Sequence, residues 1–153
     1  MRAQRFIFEF FKWCFTVIWL YAGTIKSIDH KLFIDQLEMS PLLAPVSVFI
    51  SFTFPLLEFI AAILLINPRT LRHGLFLTFY LYLSLALYIL YLFFLAPKVP
   101  CACGGIIERL NWSGHLILNF SCAALTAILI RINPYRKTGI VFIESKNFSP
   151  SAL

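Results

Sequence analysis

The sequence is short of charge. Of its 153 residues, 13 are Lys or Arg and 7 are Asp or Glu, so charged side chains make up 13% of the chain. That is about half the share found in an ordinary soluble domain. Hydrophobic residues make up 60% and aromatic ones 17%, and the mean hydropathy is +0.84. No soluble fold of this length has enough interior to hide so much apolar surface. The soluble class is excluded, and the chain reads as a single integral membrane domain. An internal repeat, a low-complexity tract and a linker to a second domain are all missing, which argues against carriers built from inverted repeats. Cysteine is scarce too. Of the four, only Cys101 and Cys103 are close together, so no second pair exists to complete a structural metal site.

What the chain does have is long apolar runs. Four are near the length that a spanning helix needs, at about residues 6–25, 46–66, 74–96 and 115–132. Arg2 and Arg5 precede the first, as they would a leader peptide. Glu9 and Lys12 interrupt its apolar region, however, and "YAGT" is a weak cleavage site, so it reads as a span. Lys and Arg gather in the segments holding Arg2, Arg5, Arg69, Arg72, Arg131, Arg136, Lys137 and Lys146. The opposite loops hold Lys26, Lys31, Lys98 and Arg109, all near acidic residues. By the positive-inside rule both termini are cytoplasmic, in a bacterial inner membrane, and Cys101 and Cys103 face the oxidising periplasm. The net charge of +6 is then a topology signal and implies no nucleic-acid partner. Residues 1–137 form the membrane domain and 138–153 a short cytoplasmic tail.

The first outer loop, "KSIDHKLFIDQLEMSPLLAP", predicts a short helix lying in the interface. Asp29 is placed to cap it, Phe33 and Leu37 share its apolar side, and Pro41 and Pro45 turn the chain into the second span. Polar residues within the spans recur at helical spacing. The stripes are Glu9, Lys12, Thr16, Trp19, Gly23 and Lys26; Ser47, Ser51 and Glu58, beside Pro55; Tyr80, Ser84, Tyr88 and Tyr91; and His115, Asn119, Cys122 and Thr126. Lipid offers such groups no partner, so all four stripes are expected to turn inward and make an all-α four-helix bundle. Lys12 and Glu58 lie about 9 Å and about 12 Å from the cytoplasmic end at 1.5 Å per residue, which predicts an ion pair between them; Lys12, Lys26 and Glu58 are the candidate structural charges, with a proton relay as the alternative.

Cys14 reads as a small packing residue, and Cys122 sits on the polar stripe at too different a depth to bond with it. Cys101 and Cys103 carry the chemistry. A disulfide between residues i and i+2 departs from relaxed geometry, and a strained, exposed disulfide suits exchange better than bracing. Gly104 and Gly105 let a partner thiol approach, Pro97 and Pro100 hold the chain extended, and His115 lies at the positive end of the fourth helix. These three residues, Cys101, Cys103 and His115, are the candidate catalytic group. A soft metal held by the two thiols and His115 and a purely structural pair are the rival readings.

Together, "YAGTIKSIDHKLFIDQLEMSPLLAP", "PLLEFIAAILLI" and "CACGGIIERLNWSGHLILN" resemble the MauE family of methylamine-utilisation proteins, within the wider DoxX-like group. The resemblance covers about residues 6–132. Its matching positions include Gly23, Lys26, Phe33, Ser40, Pro41, Glu58, Cys101, Cys103, Trp112, His115 and Asn119. It implies a four-helix membrane protein of disulfide chemistry, working beside a thioredoxin-like or cysteine-rich periplasmic partner, as in maturation of methylamine dehydrogenase. DsbB and the vitamin K epoxide reductases are similar in architecture, but they carry two cysteine pairs and pass electrons to a quinone. By that comparison Tyr88, Tyr91 and Asn119 are the residues expected to line a quinone pocket. A non-catalytic anchor or accessory subunit of a larger complex is the alternative.

Overall fold

The computed structural model describes residues 2–95 and 112–137. Cys101 and Cys103, with the rest of their loop, and the tail from residue 138 lie outside the described residues. The elements are α1 (Arg2–Ile28), α2 (His30–Glu38), a 3-10 turn at Ala44–Val46, α3 (Ser47–Ile66), α4 (Leu71–Leu95), α5 (Trp112–Ile132) and a closing 3-10 turn at Pro134–Lys137. Four helical segments are long and apolar enough to cross a bilayer: Gln4–Ile28, Ala44–Ile66, Leu71–Phe94 and Ser113–Ile132. This is the expected all-helical, four-span architecture.

Local chemistry explains where the chain turns. α3 keeps Pro55 inside it, which a membrane helix tolerates because neighbouring side chains and local adjustments re-satisfy the freed backbone. The α3–α4 hairpin is tied by side chains: Thr70 Oγ1 donates to the Leu64 carbonyl at 3.2 Å, and Asn67 Oδ1 accepts from the Arg69 amide at 3.0 Å. These bonds occupy groups that helix ends leave open. Gly74 then lets α4 start hard against α3, since a Cβ there would lie 2.8 Å from the Leu64 and Leu65 backbone. Asp29 does occupy the N-cap position of α2, but its side chain makes no cap bond. Its carbonyl instead accepts the Phe33 amide at 3.0 Å, and its own amide reaches back to Ile25. The chain passes from α1 to α2 with one residue between them, so the backbone itself supplies the partners and the side-chain cap is redundant.

α1 packs along α3, α3 along α4 and α4 along α5, whereas α1 and α5 meet sparsely. Large side chains from α1 (Phe8, Phe15, Trp19) fill the core beside small ones from α3 (Ala61, Ala62), the interdigitation that close packing requires. Trp19 Nε1 donates to Thr78 Oγ1 at 3.2 Å, and the Tyr82 ring rests on Trp19 and Phe15 with centroids 4.6 and 5.5 Å apart. These contacts tie α1 to α4. At the other end Tyr135 OH donates to Glu9 Oε1 at 2.8 Å, under the Arg5 guanidinium. The outside is a belt of exposed apolar residues such as Phe6, Phe49, Phe52, Ile63 and Phe94. So large an apolar surface matches lipid and no aqueous setting.

Candidate functional site

Three of the four expected stripes face inward. Lys12, Thr16, Trp19 and Gly23 are buried on α1, Ser47, Ser51, Pro55 and Glu58 on α3, and His115, Asn119 and Thr126 on α5, with Cys122 half-buried among them. The first half of the stripe expected on α4 faces outward. Tyr80 is 62% exposed and Ser84 is exposed. The inward face is Leu75, Thr78, Tyr82, Ala86 and Ile89. α4 carries no charge between His73 and its end, so no costly group forces one face inward, and packing against Trp19 decides. Tyr88 and Tyr91 lie in the last two turns of α4, half-buried, while Asn119 is buried on α5.

The ion pair also differs from the expected one. Lys26 Nζ meets Glu58 Oε1 at 2.6 Å, with the side chains 15% and 1% exposed. Lys12 pairs with Glu9, one turn away on its own helix. The cause is a vertical offset. Gly23 lies against the Phe59 ring, where a Cβ would stand 3.1 Å from it. Phe59 is about 18 Å below the start of α3, but Gly23 only about 7.5 Å below the end of α1. α3 therefore overtops α1 by about 10 Å, and α2 packs against α3 in that step with Phe33 and Leu37 buried. Lys26 sits beneath α2, level with Glu58, and Lys12 is about 21 Å further down α1. The Lys26 ammonium lies 5.9 Å from the Phe33 ring centroid and 5.4 Å from that of Phe54, so a carboxylate and two aromatic faces stabilise it together.

Above this pair, His115 is buried at 1% exposure in the first turn of α5, and its Nε2 has no hydrogen-bond partner among the described residues. Asn119 Nδ2 donates to the His115 carbonyl at 2.8 Å, and Thr126 Oγ1 to the Cys122 carbonyl at 2.7 Å. These self-bonds satisfy the smaller polar side chains and leave the imidazole as the reactive group of the stripe. Among the described residues Cys14 and Cys122 are free thiols. Sequence reasoning missed Tyr82 and Thr78, whose signal was the spacing Leu75, Thr78, Tyr82, Ala86. It also missed Phe54 as a wall of the Lys26 site, because an aromatic in a membrane helix gives no sign of its partner.

A family model described as methylamine utilisation protein MauE matches residues 4–132. The chain belongs to the MauE family. The matched stretch runs through all four spanning helices and includes the Cys101–Cys103 loop, so this MauE family member is a multi-pass membrane protein whose bundle is the matched domain. No match was found among curated proteins or solved structures.

Proposed function

We propose that this MauE family member is a membrane thiol–disulfide redox protein of the bacterial cytoplasmic membrane, with both termini inside and Cys101 and Cys103 on the periplasmic side. The pair exchanges with a thioredoxin-like or cysteine-rich periplasmic protein and so supports maturation of a secreted protein, in keeping with the methylamine-utilisation description of the family. In the exchange a thiolate of one partner attacks the other's disulfide and forms a mixed disulfide. The second thiol of the attacking pair then displaces it, so two electrons pass between the proteins and one dithiol becomes a disulfide as the other is reduced.

The observation that carries this reading is His115. It stands in the first turn of α5, at the end of the bundle where the segment 96–111 joins, with no partner for Nε2 among the described residues. An imidazole with an open nitrogen beside a helix N-terminus takes up and returns the proton that an attacking thiol must lose. The test is to replace Cys101 and Cys103 by Ser one at a time in cells. One variant should accumulate an adduct with a partner protein that reductant dissolves, and His115→Ala should slow its formation. Full physiological activity of Cys101→Ser with no adduct from either variant would transfer the protein to the anchor class.

A further inference from the structure

The bundle answers its cations with carboxylates at one end and not at the other. Lys26 meets Glu58 beneath α2. At the opposite end, where α3 passes to α4 and α5 stops, Arg69, Arg72 and Arg131 are exposed and have no ion-pair partner among the described residues. The one carboxylate described there, Glu9, is taken by Lys12 and the Tyr135 hydroxyl. Arg72 and Arg131 each stand one residue inside the end of their helix, α4 beginning at Leu71 and α5 ending at Ile132. On antiparallel neighbours that places them at one depth. Gly74 shows which way Arg72 points. Gly74 faces α3, where a Cβ would meet the Leu64 and Leu65 backbone, and Arg72 is two residues away, a little over half a turn. α4 packs between α3 and α5, so Arg72 stands on the flank away from α3, toward α5.

The surroundings of the two arginines select a ligand. The Arg72 guanidinium lies 5.8 Å from the centroid of the Phe76 ring, and stacking of this kind leaves its in-plane N–H groups free. One turn further into the membrane the surface is apolar, with Phe76, Ile128 and Ile132 exposed. The fitting ligand therefore joins an anion to hydrocarbon in one molecule, which a free phosphate or a nucleic acid does not. We propose that Arg72 and Arg131, with Arg69 beside them in the hairpin, hold the phosphate of an acidic phospholipid whose acyl chains lie along α4 and α5. A guanidinium fork matches two phosphate oxygens at once. The proposed orientation turns this end to the cytoplasmic leaflet, whose acidic lipids give that surface its negative potential. Lys31 on α2 is the contrast: it is also exposed, but Asp35 stands one turn further on.

The test uses the full chain in nanodiscs of equal parts phosphatidylcholine and phosphatidylglycerol, lipids with the same acyl chains and different charge. Native mass spectrometry of the released protein counts how much of each lipid stays bound. Phosphatidylglycerol should be retained in preference to phosphatidylcholine. Arg72→Gln and Arg131→Gln should each weaken that preference about fivefold, and the two together should abolish it. Lys31→Gln removes the same charge at the other end and should leave the preference unchanged. All three side chains are exposed, so the variants keep the fold, and thermal unfolding in neutral detergent checks that they do. Equal retention of the two lipids would overturn the proposal, and so would a preference that survives the double change. A loss with Lys31→Gln as large as with Arg72→Gln would overturn it too, because net charge alone would then account for the binding. The inference goes beyond the redox reading, and its readout involves no cysteine, so failure of one leaves the other standing.

Discussion

Replacing Lys26 by Met isolates the Lys26–Glu58 pair. Methionine keeps the length and apolar stem of lysine and removes the ammonium, leaving Glu58 with a side chain 1% exposed and no counter-charge. Breaking a buried pair by removing one partner typically costs about 3–5 kcal/mol. An independent bound comes from neutralising the carboxyl: protonating an ordinary Glu at pH 7 costs about 3.7 kcal/mol, from 2.7 pH units at 1.36 kcal/mol each. The two routes agree, and loss of the contacts to Phe33 and Phe54 adds a smaller cation–π contribution. The expected destabilisation is therefore about 3–4 kcal/mol, or a fall in midpoint of roughly 6–16 °C for a chain of this length. Thermal unfolding in detergent micelles reads the shift, and titration with a denaturing surfactant reads the free energy. Lys12→Met should cost about 1 kcal/mol or less, because its partner Glu9 is 29% exposed and such pairs contribute little. The double change Lys26→Met with Glu58→Gln should recover most of the loss, since neither charge is then stranded. A double variant as unstable as Lys26→Met, or a Lys12→Met variant worse than Lys26→Met, would refute the assignment of the pair.

Gly74→Ala should destabilise the protein by about 1–3 kcal/mol, because the new methyl meets backbone at 2.8 Å and only separating α3 from α4 relieves it. Gly23→Ala meets the Phe59 ring at 3.1 Å, a side chain that can swing, and should cost less in the same unfolding assay. Tyr135→Phe removes a 2.8 Å bond to Glu9 and should cost about 0.5–1.5 kcal/mol, with no effect on thiol exchange measured by the trapping of adducts. A membrane-impermeant maleimide added to intact cells should label reduced Cys101 and Cys103 and leave Cys14 untouched; labelling only after the cytoplasmic face is opened would reverse the proposed orientation.

Much of the fold was legible because a bilayer leaves few choices. An apolar run of spanning length must be a helix, and a charged or hydroxylated residue within it must turn from lipid. The four spans, the inward faces of α1, α3 and α5 and the short helix after α1 therefore followed from spacing alone. The MauE resemblance followed from blocks of residues in order and is matched over residues 4–132. The same rule misled in α4, which carries no charge between His73 and its end and spreads its hydroxyl groups over more than one side. Tyr80 and Ser84 face outward while Tyr88 and Tyr91 are half-buried, and the contacts of Tyr82 with Trp19 and Phe15 chose the inward face.

Periodicity gives the angle at which a side chain leaves its helix, but not the height of one helix against another. Depth along the chain pairs Lys12 with Glu58 only on helices whose ends are level. The close seat of Phe59 on Gly23 raises α3 about 10 Å past α1, α2 fills the step, and the partner of Glu58 becomes Lys26. The sequence by itself determined which charges are carried into the membrane; only the packing of α1, α2 and α3 decided which of them share an ion pair, because a Coulombic partner is set by distance in three dimensions and not by spacing along the chain.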